Sequence, residues 1–239
     1  MSDRLSVEHF DSIAGRYAGA AGTLKPLYDA VRSELDASVA GKAVLDVGNG
    51  GVFPYDRSLA ASVTVLDISP AMLDRAPEGV VKIVSDARSM AACRDESFDT
   101  VIFNLSLHHI AAGTLRETTA GVLQALREGF RTLRPGGDLI VYEPVLGPAP
   151  HALERALFRP ARWLLERAGV PMVFFQSRES LTSLLASACG LAPEAVSVTP
   201  ARVAGWSDPL GGTFPGLLLW PAALHPTRFA LFRARKPHG

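Results

Sequence analysis

The sequence is poor in cysteine, has no excess of either charge and contains no long apolar run, and each shortage removes a class of function. Its two cysteines, Cys93 and Cys189, stand far apart. They belong to neither a CxxC pair nor a Cys/His cluster, so the parts of a disulfide framework or a zinc site are missing. Reduced thiols, no metal and a cytoplasmic setting are the expectation. Twenty-four Lys+Arg balance twenty-four Asp+Glu, which leaves no long-range field to draw in a polyanion and speaks against nucleic acid as a partner. Every apolar run is cut by charge or proline before about 18 residues. The first residues, MSDRLSVEHFDSIAGRY, hold no apolar core of signal-peptide length. Neither a membrane partner nor export is therefore expected. Internal repeats and low-complexity tracts are also lacking.

What is present is the composition of an ordinary globular chain, 239 residues with 48% hydrophobic and 20% charged, enough for one large domain. In KPLYDAVRSELDASVA (25–40), Leu27, Val31, Leu35 and Val39 recur at fourfold steps, which predicts a helix with one buried face, ended by Gly41. KAVLDVGNGG (42–51) reads as a strand running into a glycine loop, and PYDRSLAAS (54–62) as the following helix, with its proline in the first turn. SVTVLDIS is a second strand ending at Asp67, PAMLDRA a helix from Pro70, and VVKIVSDA a third strand ending near Asp86. FDTVIFNLSLHHI makes a fourth strand and residues 113–133 a long helix. RPGG punctuates before a fifth strand, DLIVYEP.

This alternation implies a doubly wound α/β sheet with ligands at the carboxyl ends of its strands, where Asp46, Asp67, Asp86 and Asn104 fall. After Pro144 the pattern changes to helical periodicity rich in proline, aromatics and arginine, read as a cap over about 145–178. A helix over 179–188, a sixth strand in EAVSVTPARV and a terminal strand in RFALFRARK complete the reading, with 211–226 as a loop or irregular hairpin.

Gly48, Gly50 and Gly51 allow a cofactor to approach the backbone closely. Asp67, nineteen residues beyond Gly48, is placed to accept both hydroxyl protons of a ribose. Two nucleoside cofactors compete for this arrangement, a nicotinamide dinucleotide and S-adenosylmethionine. The dinucleotide fingerprint asks for a third glycine where Phe53 stands, which disfavours pyrophosphate docking.

Six segments in order resemble the class I S-adenosylmethionine-dependent methyltransferases, in particular the small-molecule branch that includes the ubiquinone/menaquinone type. They are FDSIAGRY (10–17), VLDVGNGG (44–51), VLDIS with Asp67, SDA with Asp86, FDTVIFNLSLHHI, and LRPGGDLIVYEP. The resemblance runs from Phe10 to Glu143. It implies a Rossmann-like, seven-stranded sheet, mostly parallel with an antiparallel terminal strand, an N-terminal helical segment over about 1–40 and a helical cap insertion. By the same resemblance, the backbone of Val47, Gly48 and Gly50 lines the methionine part of the cofactor; Asp46 and Asn49 belong to the same cofactor-binding loop, Asp46 more as the residue that orders it than as a ligand contact. Asp67 holds the ribose, Ile68 and Met72 pack the adenine, Asp86 with Ala87 takes its amino group, Asn104 and Leu105 face the sulfonium, and Tyr17 closes the carboxylate side. One departure stands out: Val52 replaces the family's last loop glycine, and Gly51 is expected to supply the missing backbone freedom.

His108 and His109 are candidate bases for the acceptor, and Glu143 a second acceptor contact. Phe158, Trp163, Phe174 and Phe175, with Trp206, Phe214 and Trp220, are candidates for an apolar acceptor pocket. His151, Arg155, Arg159 and Arg162 face either an anionic acceptor or solvent. The expected function is methyl transfer to a small, aromatic or heteroaromatic molecule in specialised metabolism. Its rivals are a quinone or lipid methyltransferase, a cofactor-binding protein without catalysis, and a nicotinamide oxidoreductase. A small-molecule acceptor is the expected partner, and monomer and homodimer both stay open.

Overall fold

In a computed structural model of the chain, residues 2–201 and 227–238 are described, apart from the side chains of residues 2–4 and 16–24. The Tyr17 side chain, Trp206, Phe214, Trp220 and the loop expected at 211–226 lie outside the described residues. Strands β1 (Ala43–Val47), β2 (Ser62–Asp67), β3 (Val81–Val84), β4 (Phe98–Asn104), β5 (Leu133–Leu146), β6 (Ser197–Ala201) and β7 (Thr227–Arg235) form one sheet. Their order is β3-β2-β1-β4-β5-β7-β6. β1 pairs parallel with β2 and with β4, whereas β7 runs antiparallel to both β5 and β6. The winding reverses between β1 and β4, which opens a crevice at their carboxyl ends.

The central strands are apolar on both faces, as parallel strands covered by two helical layers must be. On one face α4 (Leu115–Thr132) and α6 (Arg178–Cys189) bury Val122, Leu126 and Leu185 against Phe103 and Leu139. On the other, α1 (Ser2–Asp29) and α2 (Arg32–Val39) set Leu27, Tyr28, Val31, Leu35 and Val39 against Val44, Ile102, Ile140 and Tyr142. The Tyr142 hydroxyl donates to the Leu27 carbonyl at 3.0 Å. The stripe expected over 25–40 is thus buried as read, but the chain breaks between Asp29 and Arg32, so two helices carry it.

Two expectations are corrected. Residues 54–62 do not form an α-helix; a single 3-10 turn, Arg57–Leu59, is all that lies between β1 and β2. Pro54 lacks a donor N–H, and the Asp56 carboxylate takes the Ser58 N–H and hydroxyl into a local turn that competes with helix formation. The neighbouring surface of the sheet is covered by α2 and Tyr55 instead. RPGG, expected as a turn before the fifth strand, is absorbed into β5 as an irregularity: Phe98 faces Leu133, but Thr100 already faces Asp138. Gly137 is required there, since a Cβ would sit 2.8 Å from the Asp99 carbonyl.

Helix α3 (Pro70–Asp74) is capped by the Ser69 hydroxyl on the Met72 N–H at 3.1 Å. The segment expected as a cap begins with α5 (Pro148–Arg167) and returns in extended form to Gln176, whose carbonyl accepts from the Leu146 N–H at 3.0 Å.

Because α2 replaces the missing crossover helix, its anchor is a stability determinant. Leu35→Ala is expected to cost about 2–5 kcal/mol by cavity formation, measured by urea unfolding, while Leu59→Ala on the exposed 3-10 turn stays within about 0.5 kcal/mol.

Candidate cofactor site

The crevice holds a cavity of about 860 Å³, counting its part open to solvent. Val47, Gly48 and Gly50 form its floor, Asp67, Ile68 and Met72 one wall, and Leu105, Ser106 and His109 the other. Ser6 and Phe10 of α1 close over it.

The glycine loop is shaped by one side chain. Asn49 donates to Asp46 Oδ2 (2.9 Å) and to the Val52 carbonyl (3.0 Å), and its Oδ1 accepts from the Gly51 N–H (2.8 Å). Gly51 takes a φ of 78°, so the positive backbone angle expected of it is there and Val52 needs none. Gly48, at φ 70°, passes so close to the loop after β4 that a Cβ would meet Ser106 Cβ at 2.4 Å. Beneath the loop, Asp46 is fully buried and also accepts from the Tyr55 hydroxyl at 2.9 Å. Burial pushes its carboxyl up to about 7, against the pull of Asn49 and Tyr55. Its Oδ1 has no partner among the described residues.

Asp67 ends β2 at the cavity wall, 8% exposed. Burial raises its pKa, and N–H groups of Ser69, Gly50 and Ile68 oppose that by holding the carboxylate. Asp86 also lines the cavity, but Arg88 engages both of its oxygens. Burial raises the Asp86 pKa, while that guanidinium and the Arg88 N–H outweigh it and leave the carboxyl below its ordinary value. Arg88 was not singled out from the sequence, although its spacing two residues after an acid is that of a local ion pair.

On the opposite wall, Leu105 adopts a φ of 50°, a left-handed conformation unfavourable for leucine. The loop that follows is clamped by Glu143 from the end of β5. One carboxylate oxygen accepts from the Ser106 and Leu107 N–H groups, each at 2.6 Å, and the other lies 2.7 Å from His108 Nδ1. His108 is buried by this contact and stacks on Phe175, centroids 5.3 Å apart. The His109 ring lies against that of His108, centroids 4.0 Å apart, and lines the cavity with Phe10 edge-on at 4.9 Å. Burial first, then the neighbouring His108 and His9, hold its pKa well below the ordinary value, so the imidazole is neutral.

The structure therefore separates the candidate residues. Val47, Gly48, Gly50, Asp67, Ile68, Met72, Asp86, Ala87, Leu105 and His109 line one cavity. Asp46, Asn49, Asn104 and His108 do not. Asp46 and Asn49 bond to each other under the loop, and His108 is held by Glu143 of β5. Asn104 is 2% exposed, with an Oδ1 that has no partner among the described residues. The acceptor pocket expected from aromatics is not built from the described ones. Phe158 and Phe174 pack with each other and with His151 beneath α5, Phe175 covers His108, and Trp163 points to solvent. Arg162 bonds the Ala112 carbonyl and Glu166. The wall residues Ser6, Ser85, Ser106 and Ile110 were missed, since nothing in their spacing distinguishes them from other small or apolar positions.

Asp46 makes folding pH-dependent. The unfolded carboxyl releases its proton near 3.8 and the folded one near 7. Between these values only the folded state keeps the proton, so stability falls as pH rises and levels off above the folded value. Asp46→Asn is expected to flatten that slope, measured as urea midpoints at about pH 5 and pH 8. Glu154, which burial pushes up to about 7, and Asp67, raised in the same sense, leave a residual slope of the same sign.

The sequence profile of the methyltransferase domain family matches residues 45–141. A 27-O-demethylrifamycin SV methyltransferase from Amycolatopsis mediterranei (strain S699) is 32% identical over 126 residues, 48% of this chain and 43% of that protein. Methyltransferase ucsB from an Acremonium species is 37% identical over 87 residues, 33% of this chain and 30% of that protein. The matched stretch thus spans less than half the length of either relative. An S-adenosylmethionine-dependent methyltransferase from Mesorhizobium loti shares the fold, with a TM-score of 0.55 over 87% of this chain and 98% of that one at 21% identity. The strand order and the motif series agree with the profile match, and residues 45–141 are similar to the methyltransferase domain family.

Proposed function

We propose that the chain transfers a methyl group from S-adenosylmethionine to a small organic acceptor in the biosynthesis of a specialised metabolite. The observation that carries this reading is the pairing, across one cavity, of a nucleoside-type half and an acceptor-type half. Asp67, Ile68 and Met72 offer a carboxylate for a sugar diol beside an apolar slot for a planar base. Leu105, His109 and Phe10 offer an apolar wall with one neutral base. Asp46 Oδ1 and Asn104 Oδ1 are buried behind the loop with no partner among the described residues.

The cofactor supplies an electrophilic methyl group with its leaving group attached. The protein's share is positioning and exclusion of water. Asp67 orients the ribose, the glycine loop brings main-chain groups against the methionine part, and Leu105, held in its left-handed conformation, presents its backbone to the reacting end. His109, neutral because it is buried, takes a proton from the acceptor on a ring nitrogen as the new bond forms. His108 acts through Glu143, steadying the loop that aims His109. The rifamycin relative, whose name describes a demethylated natural product as substrate, supports a small-molecule acceptor. Gly51 and the Asn49 amide close the loop, which supports binding of the cofactor; turnover of an acceptor is what separates this reading from that of a cofactor binder without catalysis.

Calorimetric titration with S-adenosylmethionine, S-adenosylhomocysteine and NADH is expected to show binding of the two sulfur nucleosides alone; binding of NADH alone would overturn the reading. Asp67→Ala should weaken both sulfur nucleosides by roughly 10- to 100-fold in a folded protein, the loss of a charge-assisted hydrogen bond. With an acceptor in hand, His109→Ala should lower kcat by about 100-fold or more while leaving cofactor affinity within threefold or so. An equal effect on kcat and affinity would return His109 to a structural role.

A further inference from the structure

Helix α5 is amphipathic the wrong way round for a helix packed on a domain. Its inner side is anchored: Phe158 against Phe174, His151 Nδ1 on the Phe175 carbonyl at 3.0 Å, Glu154 accepting from the Phe175 N–H, and Arg162 on the Ala112 carbonyl. Its outer side is apolar as well. Leu153, Leu157 and Leu164 are 60%, 49% and 63% exposed, and Trp163 is 59% exposed. With Pro160 they follow steps of three and four residues, so one continuous stripe faces away from the protein. Such a stripe on an exposed helix marks a surface that something covers.

The charges beside the stripe say what. Arg155 and Arg159 are exposed one turn apart on the Trp163 side of the helix, Arg159 nearer the stripe, and Arg167 lies over the Trp163 ring at 5.1 Å. No ion pair joins any of these three arginines to a carboxylate among the described residues. The helix's only acids, Glu154 and Glu166, are turned to the Phe175 N–H and to Arg162. A second copy docked here about a twofold axis would bring arginine against arginine with no acid to answer them. A surface that is apolar within and anionic at its boundary satisfies both features at once.

We propose that α5 lies in the interface of an anionic lipid bilayer, its leucines and Trp163 in the acyl boundary and Arg155, Arg159 and Arg167 on headgroup phosphates. Among the described residues no helix is long and apolar enough to cross a membrane, so attachment is peripheral and reversible. The expectation of no membrane partner rested on the lack of a long apolar run, and a stripe spread at helical spacing over one face of α5 needs no such run. The site follows α5: Phe174 and Phe175, which hold the helix, flank His108, and Arg162 reaches the loop that ends at Ala112. Docking through α5 therefore brings the cavity's acceptor side near the bilayer, which suits an acceptor that partitions into lipid. The attachment itself is independent of the methyl-transfer reading.

The test is co-sedimentation of the full chain with vesicles of pure phosphatidylcholine and of equal parts phosphatidylcholine and phosphatidylglycerol. Binding to the anionic vesicles only, weakened by salt and reduced at least about tenfold by Leu157→Glu with Leu164→Glu and by Arg155→Glu with Arg159→Glu, is the expected result. A blue shift of tryptophan emission on binding that Trp163→Phe removes places the contact at α5. Absence of binding by the parent chain, or equal binding by the variants, overturns the proposal. So does a dimer seen in sedimentation equilibrium that Leu157→Glu dissolves while vesicles are ignored, since a second copy then covers the stripe. If the parent ignores vesicles and Leu157→Glu lowers the melting temperature by several degrees, the stripe is covered by the chain's own residues, and the proposal also fails.

Discussion

The carboxylate of Glu143 is the point on which the site turns. It is buried at the end of β5 and answered by three donors, two backbone N–H groups and one imidazole, all from the loop that follows β4. A carboxylate in such a place is costly unless every lone pair is directed. Here that requirement dictates where the loop runs. Leu105 must turn left-handed to enter it, Ser106 is carried against Gly48, and of the two touching imidazoles His108 is held on Glu143 while His109 is left to line the cavity. A single buried charge thus sets the path of one wall, and the close approach of Gly48 joins that wall to the floor.

The floor follows a different logic. In a chain with three loop glycines and a helix behind them, loop shape comes from backbone permissiveness and is supported by the helix. Here the helix is gone, and Asn49, Asp46 and Tyr55 form a polar plug in the space below the loop, while α2 fills the adjoining apolar surface. The cost is a carboxyl whose ionisation opposes folding above mild acidity. The gain is a route from β1 to β2 that needs no helix beyond the single 3-10 turn Arg57–Leu59.

Much of this was legible in the chain. The alternation of apolar runs and glycine loops gives the seven strands and the switch point, because β-branched runs of that length have few other ways to be buried. Gly48, Asp67 and Met72 sit where strand ends must converge. What could not be read was side-chain direction. Nothing in HisHis says which imidazole faces the ligand, since that depends on Glu143, thirty-odd positions away and brought near only by parallel pairing of β4 with β5. PYDRSL looked helical because proline is at home in a first turn; that Asp56 would capture Ser58 is a local competition that periodicity does not register. The aromatics after Pro144 counted as a pocket by composition, whereas among the described ones Phe158, Phe174 and Phe175 are spent fastening α5 and covering His108, and Trp163 faces solvent.

The reliance on Asn49 also places a chemical clock in the loop. Asn49 is followed by Gly50, the pairing in which an asparagine amide is most readily attacked by the next backbone nitrogen and lost as ammonia, leaving a carboxylate or its backbone-shifted isomer. While the loop is closed, the amide is 3% exposed and tied by three hydrogen bonds, so it cannot swing into the geometry that attack requires. Once the loop opens it can. The product would place a second carboxylate beside Asp46 and remove the donor that held the loop shut, so each opening carries a small chance of becoming permanent. The protein's ageing in solution is in this sense a record of how often its floor comes apart, and a bound nucleoside that keeps the loop closed would slow it.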